Sequence, residues 1–159
     1  MANNCIVGIS LATDSENSAA NLEIMFNEAV SAARKKNEGM FIGSTARYLF
    51  DSEVHRDRNT LFIAGWVKWG FSNDEVKEFL TWLKKQSVTS TMHIDYDEPG
   101  NLAYGEYDFD GKTLKHHYLP ESAYPDAEKF EDEEDDQKFA VALESAIKSH
   151  GVTEEIPMA

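Results

Sequence analysis

The sequence contains only one cysteine, Cys5, and no long run of apolar residues. A single cysteine excludes an internal disulfide, and the absence of disulfides is typical of proteins from reducing compartments. A membrane-spanning helix needs about 20 predominantly apolar residues in a row, and no segment approaches that length. The first residues show neither a basic segment before an apolar stretch nor a cleavage pattern, so no secretory signal is predicted. These absences predict a cytoplasmic protein, in the host cell if the chain comes from a mobile element. Its 159 residues suffice for one domain with a hydrophobic core.

Positive charge is scarce in the second half of the chain. The net charge is −14, and the two halves contribute to it unequally. Residues 1–86 contain 11 acidic residues and 10 Lys or Arg, whereas residues 87–159 contain 18 acidic residues and five Lys. The resulting negative field disfavours direct binding to nucleic acid or to an anionic membrane. It favours solubility, cations or a basic protein partner.

The sequence also lacks the usual short motifs of catalysis. It contains no Gly-x-Ser-x-Gly, no phosphate-binding loop and no Gly-x-Gly-x-x-Gly, so hydrolase, NTPase and dinucleotide-binding functions have no motif support. HRDRN, residues 55–59, is similar to a kinase catalytic loop, but the chain is too short for a kinase, and a polar loop is predicted. EYDFDG, residues 106–111, imitates the start of a calcium loop, but its twelfth position is His117 instead of Glu. The alternation of acids with Tyr107 and Phe109 favours a strand followed by a turn.

The first half of the chain predicts two strand–helix units. Cys5–Leu11 is a short, β-branched apolar run typical of a central strand, and Asp14 or Ser15 can cap the helix that follows. Thr60–Gly70 is apolar on both faces, which indicates an interior strand. Ser72 begins a Ser-x-x-Glu capping box, so a second helix is predicted to about Gln86. Residues 40–59 give no clear pattern.

The period of the apolar residues changes to two between residues 90 and 118, which predicts a three-stranded meander. A register that pairs Asp97 with Leu102, and Phe109 with Lys112 across an Asp-Gly turn, gives the sheet one apolar face and one polar face. We expect the apolar face to pack on the two helices. The apolar face contains Met92, Ile94, Tyr96, Ala103, Gly105, Tyr107, Phe109, Leu114, His116 and Tyr118.

The remaining sequence divides the chain into three parts. Residues 1–120 are predicted to form an α+β two-layer sandwich, with an antiparallel or mixed sheet packed by two helices in a ferredoxin-like arrangement. Residues 121–136 contain nine acidic residues and one Lys, which predicts a linker. Residues 137–151 have helical periodicity and are predicted to pack on or near the domain, after which the chain is expected to fray.

Three features together resemble the YubB-type ferredoxin-like proteins of plasmids and phages. They are the opening MANNC, the WVKW cluster at residues 66–69 before the second helix, and the aromatic hairpin that ends in Asp-Gly. The resemblance covers roughly residues 1–120 in the order of elements, although the family carries a longer W-G-T-K-W signature. It implies the fold and an origin on a mobile element, and it supplies no catalytic residues.

Two side-chain groups suggest alternative functions. His93, Glu106 and His117 fall on the polar face of adjacent strands, so two imidazoles and a carboxylate could hold Zn²⁺ or Fe²⁺ in a small metal-binding domain or enzyme. A solvated sheet face, with Lys115 paired to Glu106, is the competing interpretation. Trp66 and Trp69 point to opposite faces of a strand, so an exposed Trp could support a partner contact or a homodimer.

The acidic run 131–136 lies where the last helix should begin. Carboxylates in a first helical turn are stabilised by the helix dipole, but six adjacent acids exceed what the helix needs. We therefore predict a non-enzymatic protein without a cofactor that inhibits a host nucleic-acid-handling defence enzyme, such as a restriction or CRISPR effector. Its carboxylates would occupy a basic groove in place of phosphates. The predicted partner-binding acids are Asp95, Asp97, Glu98, Glu106, Asp108, Asp110, Glu131, Asp132, Glu133, Glu134, Asp135 and Asp136.

Overall fold

The computed structural model describes residues 4–36, 40–41, 48–68, 72–126 and 136–158. It confirms an α+β protein. The helices are α1 (Glu16–Lys36), α2 (Asn73–Lys85) and α3 (Asp136–His150). The strands are β1 (Asn4–Thr13), β2 (Met40–Phe41), β3 (Tyr48–Asp57), β4 (Thr60–Lys68), β5 (Ser90–Glu98), β6 (Ala103–Phe109), β7 (Leu114–Leu119) and β8 (Val152–Ile156). Within the described ranges, no helix is long and apolar enough to cross a bilayer.

Seven strands form one antiparallel sheet in the order β3-β4-β1-β5-β6-β7-β8, and the two-residue strand β2 extends it beside β3. The sheet is therefore larger than the simple two-layer sandwich expected from the sequence. β1 lies at its centre between β4 and β5, to which it is antiparallel. The path from β1 through α1 to β3 passes over β4, which lies between these two strands.

Local chemistry accounts for where the helices begin. The Ser15 hydroxyl accepts a hydrogen bond from the backbone N–H of Ser18 at 3.1 Å. Ser72 does the same for Glu75 at 3.4 Å, as the capping box predicts. Arg34, Lys35 and Lys36 end α1, and Lys84 and Lys85 end α2, where cations oppose the negative end of the helix dipole. Both predicted helices are confirmed.

The core lies between α1 and α2 and one face of the sheet. Alternate residues of β1, namely Cys5, Val7, Ile9 and Leu11, are buried and belong to the same cluster as Leu22 of α1 and residues of α2. The core-facing residues of the meander include Met92, Ile94, Tyr96, Tyr107 and Leu114, as the two-residue period predicts. The prediction that the apolar face packs on the helices is confirmed.

The meander's register differs from the predicted one by two residues at both turns. Asp97 pairs with Tyr104, and Phe109 pairs with Leu114. At the first turn, Pro99–Asn101 form a 3-10 turn and Leu102 is left-handed with φ 53°. At the second turn, the carboxylate of Asp110 accepts backbone N–H bonds from Lys112 and Thr113, so four residues connect the strands. Because both shifts are even, every side chain keeps its predicted face.

Two local expectations are wrong. His55–Asp57 of HRDRN belong to β3, and only the last two residues of that motif form the turn to β4. The segment after Gly151 does not fray, since Val152–Ile156 pair with β7 as strand β8. The linker stays a prediction; at its start, Glu121–Ala123 form a 3-10 turn, and Tyr124 beside it is buried. Residues 127–135 lie outside the described part of the chain.

Candidate protein-interaction face

The sheet face opposite α1 and α2, here called the open face, carries most of the chemically distinctive side chains. The strand registers place its residues in rows that cross the sheet. The central row is Glu53, Ala64, Gly8, Asp95, Glu106 and His117. A second row is His55, Phe62, Ser10, His93, Asp108 and Lys115. A third row is Phe50, Trp66, Ile6, Asp97, Tyr104 and Leu119.

A bulge in β3 brings that strand's side chains to this face. The register between β3 and β4 shifts between Phe50 and Glu53. Asp51 within the bulge is left-handed with φ 50°, and its carboxylate accepts a hydrogen bond from Trp66 Nε1 at 2.9 Å. Phe50 stacks on Trp66, with ring centroids 4.6 Å apart. Trp66 is therefore half-buried and held in place at one end of the open face, whereas Trp69 lies outside the described residues.

Carboxylates dominate the part of the open face formed by β5 and β6. Asp95 and Asp108 are exposed, and Glu106 is half-buried beside Tyr104, whose hydroxyl donates to it at 3.3 Å. Burial, together with the charge of Glu106, raises the pKa of Tyr104 to about 12, so the phenol stays protonated and keeps donating. The Tyr104 hydroxyl therefore holds one carboxylate of this surface in place.

His93 is paired with one of these carboxylates. Its Nδ1 lies 2.7 Å from Asp108 Oδ1, with the His and Asp side chains 43% and 61% exposed. Burial lowers the pKa of His93, but the hydrogen bond and charge of Asp108 and the charges of Glu106 and Asp95 outweigh it, so the pKa is raised above 6.5. Part of the acidic surface is thus neutralised internally as pH falls.

We expect Asp108→Asn to lower the pKa of His93 toward 6.5, since the hydrogen bond and the nearest charge are lost. NMR titration of the imidazole measures this shift. Because the folded-state pKa is raised, the pairing stabilises the fold fully below pH 6.5 and loses its effect as pH rises through the folded-state value. Glu78→Gln on α2 is the control, since it removes one acid from an exposed position on the other layer. An unchanged His93 titration in Asp108→Asn would contradict the pairing.

The other predicted acids are placed differently from one another. Asp97 is half-buried, and its carboxylate accepts a hydrogen bond from Tyr124 at 3.0 Å. Burial raises the pKa of Asp97 and the Tyr124 bond partly offsets that rise. Asp110 holds the turn between β6 and β7, where backbone N–H groups lower its pKa. Glu98 lies on the core side of the sheet, is only 3% exposed and is close to Asn101, so we leave it out of the interaction surface.

The acidic run is described only at its end. Asp136 is the exposed first residue of α3, whereas Glu131–Asp135 lie outside the described residues. Phe139 of α3 packs against Tyr124, with ring centroids 6.0 Å apart. Because Tyr124 bonds to Asp97, α3 is connected to the open face near the third row.

The alternative metal site is not assembled. Glu106 lies opposite His117, but the Nδ1 atom of His117 is 2.6 Å from Thr153 Oγ1, and His93 is paired with Asp108. Among the residues that the structure describes, no group of three or more His, Cys, Asp or Glu is placed to hold a metal ion. The proposed Lys115–Glu106 pair is also wrong, since Lys115 lies opposite Asp108. The calcium-loop imitation is a strand and a turn, as predicted.

Sequence reasoning missed the β3–β4 side of the open face. Phe62 is 45% exposed and Ile6 is 62% exposed, although the apolar content of β1 and β4 indicates strands buried on both sides. The signal available in the sequence was the alternation of the small residues Gly8, Ser10 and Ala12 with the larger apolar residues at positions 7, 9 and 11. Comparison with protein-family models, curated proteins and solved structures found no match to this chain.

Proposed function

We propose that this chain is a non-enzymatic interaction protein of phage or plasmid type whose open face binds a basic, nucleic-acid-binding surface of a host protein. The carrying observation is a cluster of three carboxylates on β5 and β6: Asp95 lies opposite Glu106, Asp108 follows two residues further along β6, and Asp95 and Asp108 are exposed. Carboxylates held on a rigid sheet can meet Lys and Arg groups that otherwise bind phosphates.

The charge around this surface also supports a basic partner. Residues 90–126 contain eight acidic residues and two Lys, and β8 adds the exposed Glu154 and Glu155 at the sheet edge. A field of one sign accelerates the encounter with an oppositely charged partner and makes binding sensitive to salt. The resemblance to YubB-type proteins stays a prediction. The mobile-element origin that it implies, together with the acidic second half and the missing catalytic motifs, leads us to propose a restriction or CRISPR effector in the host cytoplasm as the target class.

The finer fold assignment belongs with this proposal. We propose that residues 4–98 form a ferredoxin-like unit, extended by β6, β7 and β8. The supporting observation is the neighbour order β3-β4-β1-β5 with α1 and α2 as the two crossovers, which has the character of a split βαβ arrangement.

The test compares two variants of equal net charge. One combines Asp95→Asn, Glu106→Gln and Asp108→Asn on the open face. The other, called the helical-layer variant, combines Glu28→Gln on α1 and Glu78→Gln on α2 with Asp14→Asn in the connection before α1, all at exposed positions. Affinity capture from a bacterial host lysate at low and high salt, followed by mass spectrometry, identifies the partner, and its nuclease activity is then assayed with each variant.

We expect the open-face variant to bind about three- to a hundredfold more weakly, since each of three exposed ion pairs contributes roughly 0.2–1 kcal/mol and about 1.4 kcal/mol is a factor of ten. The helical-layer variant should bind and inhibit like the unmodified protein. Equal losses in both variants would show that net charge, and not this face, determines binding. Capture of a nucleic-acid-handling enzyme whose activity stays unaffected would contradict inhibition.

Self-association is a second candidate, favoured by the exposure of Ile6 and Phe62 on the same face. Both side chains lie on β1 and β4 at the centre of the sheet, where a second copy could cover them. Sedimentation equilibrium over a range of protein concentrations decides this: a mass that stays at 17.9 kDa contradicts it.

A further inference from the structure

A groove on the open face lies between Asp95 of β5 and the aromatic residues His55 of β3 and Phe62 of β4. Its volume is about 340 Å³. Small residues of the two central strands form its floor: Gly8 and Ser10 of β1, and Ala64 of β4. Because these side chains are short, the larger groups on both sides stand above them, which makes a depression in an otherwise flat sheet.

One wall of the groove is negatively charged. Asp95 lies directly opposite Gly8, and a Cβ atom added at Gly8 would collide with Asp95 Oδ1. The carboxylate therefore extends over the glycine, into the space that a side chain would otherwise fill. His93 follows on the same strand, and Glu53 of β3 closes the far side of the central row.

The other wall is aromatic. The ring of Phe62, 45% exposed, lies beside His55 in a stacked arrangement with centroids 6.3 Å apart and planes 25° apart. This wall thus holds a partly exposed aromatic ring within a groove that also contains a carboxylate. A planar cation suits both walls, because it can stack on an aromatic ring and donate two hydrogen bonds to one carboxylate.

We propose that this groove receives an arginine side chain of the basic partner, with the guanidinium between Phe62 and Asp95. The inference rests on the proposed function and deepens it, because it names the partner group that the open face recognises. Lysine fits less well, since its ammonium is a compact and strongly hydrated charge without a planar face. The groove thus converts a general preference for positive charge into a preference for one residue type.

The probe is the peptide acetyl-Gly-Arg-Gly-amide, titrated into the full chain while backbone amide shifts are followed by NMR. The matched peptide contains citrulline, which keeps the planar shape and loses the charge, and a third contains lysine. We expect the arginine peptide to cause saturable shifts at Gly8, Ala64 and Asp95. The citrulline peptide should bind at least about tenfold more weakly. The affinity of the lysine peptide should lie between those of the arginine and citrulline peptides.

Two variants test the charged wall in different ways. Asp95→Asn removes the charge, and Gly8→Ala forces the Asp95 carboxylate out of the groove while leaving its charge in place. Both should bind the arginine peptide about tenfold more weakly, and Glu78→Gln on α2 should bind it unchanged. Gly8→Ala should still fold, because the group it displaces is the end of an exposed, flexible side chain. If it does not, Asp95→Asn alone carries the test.

Three results of the peptide titrations would overturn the arginine site. They are equal binding of the citrulline and arginine peptides, unchanged binding by Asp95→Asn, and shifts spread without saturation over remote acids such as Glu121 and Glu154. Shifts of the groove amides on dilution of the protein alone would assign the groove to a second copy and also overturn it. A failed groove with intact, salt-sensitive partner capture leaves the proposed function standing. If the arginine peptide binds but no partner is captured from the lysate, the proposed host partner is contradicted and the arginine site still stands.

Discussion

Phe79→Ala is expected to lower the free energy of unfolding by about 3–5 kcal/mol, because it removes a large aromatic side chain and leaves a cavity. Phe79 of α2 is fully buried. Its ring lies 6.4 Å from that of Phe26 of α1 and 6.1 Å from that of Trp82, measured between centroids. The three rings pack against one another and so hold α1 and α2 together on the core side of the sheet. Because a small domain has a total stability of about 5–15 kcal/mol, this one change removes a large share of it.

Urea unfolding followed by far-UV circular dichroism measures this loss. The matched control is Phe62→Ala, which deletes the same atoms from a ring that is 45% exposed on the open face. We expect that change to cost about 1 kcal/mol or less. Similar losses in the two variants would mean that the core does not lie between the helices and the sheet, and the assignment of the open face would fail with it.

Ile156→Ala is expected to lower the free energy of unfolding by about 2–5 kcal/mol. Ile156 is the last residue of β8 and is 7% exposed. It pairs with Leu114 of β7, which is fully buried, and both belong to the main core cluster. The final strand is thus held by a side chain that enters the same core as α1 and α2, in addition to its backbone hydrogen bonds.

Val152→Ala is the matched control, because Val152 begins the same strand and is 37% exposed. Its expected cost is about 0.5 kcal/mol. Urea unfolding gives both values, and hydrogen exchange of the β7 amides shows whether the strand detaches locally or with the whole domain. An Ile156→Ala cost as small as that of Val152→Ala would mean that β8 contributes nothing to the core.

The fold was predictable where the sequence contains a strong period. The spacing of Leu22, Phe26 and Val30 predicts α1, and the capping box at Ser72 predicts the start of α2. Alternation in the meander predicts which side chains face the core, and this assignment survives a two-residue error in both turns because the pleat also repeats every two residues. The turns themselves were not predictable from Pro-Gly and Asp-Gly pairs, since Leu102 and the Asp110 carboxylate lengthen both connections.

The parts that were missed lack such a period. β3 contains a bulge at Asp51 and Ser52, which breaks the alternation of its side chains. β8, with the sequence VTEEI, has only one buried side chain, so its pattern is mostly polar and resembles that of a frayed end. The groove combines Glu53 and Phe62 with Gly8 and Asp95, which are brought together only by the order of four strands. No short-range pattern contains that information.

The central position of β1 also determines how the protein must fold. Ile6 pairs with Trp66 on one side and with Asp97 on the other, so both neighbours of the first strand come from much later in the chain. Closing such large loops costs chain entropy before any pairing is gained, and proteins rich in distant contacts fold in roughly milliseconds to seconds, not microseconds. Until β4 and β5 have paired with β1, both edges of this strand are unpaired, and its apolar run from Cys5 to Leu11 is accessible. During that interval the chain is most exposed to strand-to-strand association with other molecules.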